Sequence, residues 1–550
     1  MQSSVDVLEP PIKDAGDRPI GIVNSSSGNR ISCLLERKGR DEKPRHAYPE
    51  AQIGSIVKIT TERNSTTYGF VDSVALHLAS ADLPGAGYAI AEIELFGEIV
   101  DRKSTGPGRF TRGVSQYPVL GASVFAANHK DMAVIYAKPD AWHVEIGRLY
   151  QDSDQPAYLI SQEFLCKHSA ILGTTGSGKS CAVTLILRAL LSAHPNGHAV
   201  LIDPHGEYAP AFAGLAEVIT PHTLQLPYWL LNFEEICEVL CSKDPIARSR
   251  EVGILKDHIV AAKRELAHNI PNAPNITVDT PVPYRLSTLV QRLSEGMGKL
   301  DKPDTSLPYL RLLTAIEAYQ ADRRYGFMFS GDLTVRDSMA QIVSRLLRIP
   351  VDGKPVTILD MSAIPSEIID VVVSLVCRIV FDFAVWSERS EAVPVLLVCD
   401  EAHRYIPADE SAGFEATRHA ISRIAKEGRK YGVSLCLVSQ RPSEISETAL
   451  SQCSTVFALR MASEKDQKFV RGTLPESASA LLNTLPALRF QEAVVIGEGI
   501  THPMRIRFLD LEERYRPRGS SVNFPKAWES DFSKSDFVAR TIDRWRRQQR

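Results

Sequence analysis

One segment restricts the fold of this chain more than any other: GTTGSGKS at 173–180 satisfies G-x-x-x-x-G-K-[ST] at every position. An apolar string, SAILG, precedes it, and an amphiphilic helical string, KSCAVTLILRALLSA, follows it. A strand, a glycine loop and a helix in this order suit an α/β chain. The residue types suit a phosphate cradle. Gly173, Gly176 and Gly178 are expected to allow backbone angles that turn successive N–H groups inward. Thr174, Thr175 and Ser177 fill the loop, and Cys181 follows it in the first helical turn. The N-terminal end of the helix dipole adds positive potential. Lys179 is placed to reach β- and γ-phosphates, and the Ser180 hydroxyl to ligate Mg²⁺. The expected ligands are therefore ATP and Mg²⁺.

The texture around this segment predicts an α/β chain. HSAILG (168–173), HAVLID (198–203), VTILDMS (356–362), VLLVCDE (395–401), SLCLVSQ (434–440) and TVFALR (455–460) are nearly continuous apolar runs. Such runs suit strands buried on both faces of a doubly wound sheet. The core is expected over 159–225 and 350–510. Residues 226–349 instead carry apolar residues at helical spacing and read as a helical insertion. Residues 1–150 contain short β-branched runs punctuated by Gly, Pro, Asn and Asp, the pattern of a small barrel. RKSTGPGRFTRG (102–113) reads as a basic loop there, and the polar stretch from Tyr150 to Tyr158 as a linker. QEAVVIGEG and MRIRFLDLE predict a closing hairpin, and 511–550 a polar tail ending in TIDRWRRQQR.

VLLVCDEAHRY (395–405) ends an apolar strand in two carboxylates, Asp400 and Glu401. In a chain with a phosphate loop, a pair at the C-terminal end of a strand projects over the sheet toward that loop. Asp400 is expected to hold Mg²⁺, and Glu401 to orient and polarise an attacking water as general base. SLCLVSQ ends in Gln440, an amide suited to sensing the γ-phosphate or the water. In ATRHAISRIAKEGRKYG (416–432), Arg423, Lys426, Arg429 and Lys430 recur at helical steps. That face reads as a solvated surface, a finger reaching a neighbouring subunit's nucleotide, or a set of contacts to nucleic-acid phosphates.

Composition excludes other classes. A formal net charge of −3 gives no global basic character, so any nucleic-acid contact must be local. The nine cysteines form no disulfide framework or zinc spacing, and most sit in apolar runs as small hydrophobes. The apolar stretch near Val371 to Trp386 is broken by Arg378 and Asp382, too interrupted for a membrane span. A cytoplasmic protein without membrane partners is expected.

Taken together, AILGTTGSGKS, DPHGEY (203–208), CDEAHRYIP, IAKEGRKYGVSLCLVSQRPSEI (424–445) and LSQCSTVFALR (450–460) resemble the HerA family of the HerA–FtsK ATPases over essentially the whole chain. The resemblance implies a RecA-like core with the helical insertion, an N-terminal barrel carrying FTRGVSQYPVLGASV (110–124), and a C-terminal brace over 511–550. It implies a homohexameric ring with ATP sites between subunits, moving double-stranded DNA through its channel as a translocase or helicase. Arg429 in EGRKYG is then the finger supplied in trans, with Arg423 or Arg460 as substitutes. Lys167 falls where family members often carry a basic residue near the nucleotide. His403, Arg404 and the segment after Pro407 are candidate pore-loop residues. HerA proteins commonly act with a nuclease; bacterial ones also accompany effectors such as a sirtuin-like NADase in anti-phage defence. An ATP-switched ring scaffold that activates an effector is the alternative from a different class.

Overall fold

The computed structural model describes residues 18–36, 51–61, 65–78, 87–100, 109–266, 275–298, 303–329, 336–362, 364, 366–409, 413–474, 478–519, 524–529 and 536–547. The chain divides into two compact units, Met1–Ala193 with Ser439–Asp510, and His194–Val438 with Leu511–Arg550.

The first unit opens with seven strands: β1 (Gly21–Ser27), β2 (Arg30–Leu35), β3 (Ile56–Thr61), β4 (Ser65–Leu78), β5 (Gly87–Val100), β6 (Phe110–Arg112) and β7 (Ser123–Ala126). Their order is β2-β1-β7-β3-β4-β5-β6, and a β2–β5 pairing closes six of them into a barrel. The expected barrel is thus present. Alternation puts Val23, Ile31, Val57, Ile59, Ile93 and Val124 into one buried cluster. Register shifts at Tyr68/Gly69 and Val71/Ser73 bend the long β4–β5 ribbon around it. Of the expected basic loop, 102–108 lie outside the described residues, and Phe110–Arg112 form β6.

The same unit contains β8 (His143–Leu149), β9 (Pro156–Ile160) and β10 (His168–Leu172). The expected linker is therefore a hairpin. Pro156–Ile160 alternates in burial, with Ala157 and Leu159 inward, and pairs antiparallel with β8; the polar stretch shrinks to the turn between them. Further along, this unit holds β16 (Cys453–Leu459), β17 (Glu492–Gly497) and β18 (Met504–Phe508) in the order β10-β16-β17-β18-β8-β9. β10 and β16 are parallel, and β17–β18 is the expected closing hairpin. Arg112 ties the barrel to that hairpin: Nε donates to Thr501 O at 2.6 Å, and Nη2 to Gly497 O at 2.9 Å and Ile500 O at 2.8 Å.

The second unit contains β11 (Ala199–Asp203), β12 (Ala216–Ile219), β13 (Val356–Asp360), β14 (Val395–Cys399) and β15 (Val433–Ser439), whose last residue falls in the first unit. They run β12-β13-β11-β14-β15, all parallel. Every expected core strand is present; the short β12 is an addition. Helices Phe233–Leu240, Pro245–Leu266, Leu286–Gly298, Pro303–Ala321 and Met339–Leu347 account for the expected helical stretch. Its anchor is polar. Glu235 closes a capping box with Asn232 and also accepts Arg378 Nη2 at 3.0 Å and Ser374 Oγ at 2.9 Å. Removing either member of such a buried pair typically costs about 3–5 kcal/mol.

No described helix is long and apolar enough to cross a membrane. Seven cysteines are buried as expected, whereas Cys166 is exposed and Cys181 half-buried. Among the described residues no cluster of three or more His, Cys, Asp or Glu could hold a metal.

Candidate nucleotide site

In the first unit, buried β10 delivers the chain into the loop 173–178, and the helix Lys179–Ala193 leaves it. The three glycines act for two different reasons. Gly176 and Gly178 have φ of +74° and +102°, which L side chains rarely adopt. Gly173 has no such angle. A Cβ there would lie 2.7 Å from Ser177 Oγ and 2.8 Å from Leu459 Cβ, so its requirement is close approach. The loop is fastened at both edges. Gly173 N–H donates to Ser439 O at 3.2 Å, and Thr174 N–H to Arg460 O at 3.0 Å. Within it, Ser177 N–H donates to Thr174 O at 3.1 Å.

Lys179 is only 9% exposed, and its Nζ donates to Thr174 O at 3.2 Å. A cation folded back on its own loop is poised where an anion would sit. Ser177 Oγ is buried without a hydrogen-bond partner. An inward cation, two left-handed glycines and an orphaned hydroxyl fit a polyphosphate. Thr175 Oγ1 donates to Gln440 Oε1, so this amide joins the loop. Ser180 and Cys181 are half-buried in the first helical turn. Lys167, expected near the nucleotide, pairs with Glu163 at 2.5 Å and with Glu498. Arg460 is exposed and meets the loop through its backbone carbonyl.

In the second unit, β14 ends at Cys399 and presents Asp400 and Glu401, both buried. Asp400 Oδ1 accepts the Glu401 N–H at 2.9 Å, and Asp400 Oδ2 accepts the Tyr208 hydroxyl at 3.2 Å. Glu401 has φ +52°, a left-handed conformation that turns the chain sharply off the strand. Two histidines flank its carboxylate, His205 Nε2 at 3.7 Å from Oε1 and His403 Nδ1 at 3.3 Å from Oε2. Neither approach is aligned as a hydrogen bond, and Oε2 is buried without one. His403 therefore faces the carboxylate rather than solvent; Arg404 is exposed, and 410–412, after Pro407, lie outside the described residues.

The carboxylates rest on a segment that entered the sequence reading only as a family signature. Asp203, fully buried at the end of β11, accepts N–H groups of His205 at 3.2 Å, Gly206 at 2.8 Å and Tyr208 at 3.0 Å. Burial raises its pKa, opposed by these backbone donors. The available signal was an Asp closing an apolar strand before a Gly-containing turn, the pattern of a side chain bonding its own following backbone. Arg429 sits in the 3-10 turn Gly428–Tyr431 and is exposed. Arg423 is held within the unit, 3.6 Å from Asp382 and 4.6 Å over the Phe381 ring.

A glycine phosphate loop between a buried strand and a helix, in an α/β protein whose parallel strands end in an Asp–Glu pair, defines a P-loop ATPase. Comparison with known proteins narrows this. The family model for the central domain of helicase HerA matches residues 144–380. A probable helicase of Methanocaldococcus jannaschii is 25% identical over 498 residues, 88% of each chain. A probable DNA double-strand break repair helicase HerA of the same organism is 27% identical, covering 72% of this chain and 81% of its own. Among solved structures, VirB4 of Thermoanaerobacter pseudethanolicus covers 69% of this chain and 99% of its own at 16% identity and a TM-score of 0.47. Residues 144–380 thus match the central domain of helicase HerA, the chain is similar over most of its length to HerA-type helicases, and it is an ATP hydrolase.

Proposed function

We propose that this protein is an ATP-driven translocase or helicase of double-stranded DNA, built as a homohexameric ring and coupled to a nuclease or a sirtuin-like NADase. The observation that carries the nucleotide part is the phosphate loop with its buried Lys179 and its contact to Gln440. The DNA part is supported by relatives whose names call them DNA repair helicases, matched over most of their length. The ring and the effector follow from the family resemblance.

The residues divide the work as follows. Inward N–H groups of 173–178 and the Lys179 ammonium take up the phosphate charge. Ser180 and Asp400 would hold Mg²⁺, since one hydroxyl and one carboxylate with phosphate oxygens are the donor set this hard cation prefers. When bound, the ion supplies positive charge that stabilises the leaving phosphate. Glu401 orients the attacking water and draws its proton. Gln440, bonded to Thr175, positions the water or the transferring phosphoryl group. Arg429 acts on the nucleotide of the adjacent subunit.

The test is ATP turnover with and without double-stranded DNA across a salt series, alone and with the effector. Stimulation by DNA that weakens as salt rises is expected, because phosphate contacts release counterions. Turnover indifferent to DNA, together with full effector activation by Glu401→Gln protein, would point to the ATP-switched scaffold.

A further inference from the structure

The Asp203–Tyr208 turn has an architecture that nucleotide chemistry alone does not require. Asp203 is entirely buried and receives three backbone N–H groups, which immobilises the turn and leaves its carboxylate occupied. Tyr208, at the far end, is also entirely buried. A buried phenol requires a partner for its hydroxyl, and that partner is Asp400 Oδ2 at 3.2 Å. The opposite oxygen, Oδ1, takes the Glu401 N–H at 2.9 Å. Donors on both oxygens fix the plane of the Asp400 carboxylate. The backbone adds a third constraint, since Asp400 N–H reaches Ile202 O at 3.3 Å, just before Asp203. The turn is held from outside as well, by Arg518 N–H on Glu207 O at 3.0 Å.

We propose that Tyr208, held by the Asp203 turn, is a positioning residue that orients Asp400 for the magnesium ion of the nucleotide. The inference rests on the reading of Asp400 as the magnesium carboxylate. Groups that orient a metal ligand typically alter metal affinity by about 10–100-fold when removed. Tyr208 touches no reacting atom in this assignment; it sets the direction of the carboxylate that does.

The experiment measures binding of a fluorescent ATP analogue to the full chain, first in chelator and then across a magnesium titration, for parent, Tyr208→Phe, Asp203→Asn and Asp400→Asn proteins. Tyr208→Phe removes only the hydroxyl. It should bind the analogue like the parent without magnesium, and need roughly tenfold more magnesium for half-maximal tightening. A merely structural loss would weaken binding in both conditions. A parental magnesium response in Tyr208→Phe, with the response lost in Asp400→Asn, overturns the role of Tyr208 alone. A parental response in Asp400→Asn overturns the magnesium assignment itself, and the proposal with it. Should Tyr208→Phe not fold by circular dichroism, Asp203→Asn is read by the same criteria.

Discussion

The hydroxyl of Thr175 donates to the side-chain carbonyl of Gln440, joining the phosphate loop to an amide 265 positions away. An amide anchored to the loop is pre-set to report what the loop holds. Gln440→Ala is expected to bind ATP with near-parental affinity and to lose turnover on the order of 10²-fold, as for a lost positioned polar group in other active sites. Nucleotide binding and steady-state hydrolysis measured side by side check this; equal losses in both would make Gln440 a structural brace of the loop.

Lys179 and Glu401 should fail in different ways. Lys179→Ala removes the buried cation and is expected to weaken nucleotide binding and abolish hydrolysis. Glu401→Gln keeps size and polarity, so ATP should bind while hydrolysis falls about 10²–10⁴-fold. Normal turnover in the first variant, or lost binding in the second, would contradict the roles given to them.

Arg429 is exposed on a short turn, whereas Arg423 is clasped by Asp382 and Phe381. Arg423 is also exposed, but these two contacts hold its guanidinium within its own unit, which makes Arg429 the better candidate to complete another subunit's site. Arg429→Ala should bind ATP and hydrolyse it about 10³-fold more slowly. Co-assembly with Lys179→Ala subunits should restore part of the activity, because some interfaces then pair an intact loop with an intact finger. No rescue in demonstrably mixed assemblies would move the role to another basic residue.

Asp370 offers a test by pH. Burial raises its pKa from 3.8 to about 6, with Arg404 opposing and Glu238 adding to the rise. A group with a raised folded pKa contributes stability that is complete below the unfolded value and lost as pH rises through the folded one. At pH 8 the ionised carboxylate is therefore a burden. Asp370→Asn should stabilise the protein there by roughly 1–2 kcal/mol, after discounting for its partial exposure. Denaturant melts should show that gain shrinking through pH 6 and disappearing near pH 4. A gain independent of pH would trace the effect to packing.

What the sequence determined by itself was whatever local chemistry dictates. Continuous β-branched and apolar runs such as VLLVC and SLCLVS suit strands covered on both faces, and the structure buries every residue of Val395–Cys399 and Val433–Ser439. GTTGSGKS prescribes its loop because few residue types tolerate the angles at Gly176 and Gly178. The six-stranded barrel was legible from short alternating strands, although its closure through β2 and β5 was not.

Tertiary structure decided what depends on residues distant in sequence. Pro156–Ile160 is a strand because β8 pairs with it, and AEVI at 216–219 is one because β13 does; neither segment is apolar enough to announce itself. Gly173 is required by the side chain of Leu459, 286 positions away. Lys167 pairs with Glu498, 331 positions away. Tyr208 reaches Asp400 across 192 residues. Each is a contact in which one partner sets the meaning of the other, and a periodicity or motif confined to neighbouring residues carries no term for it.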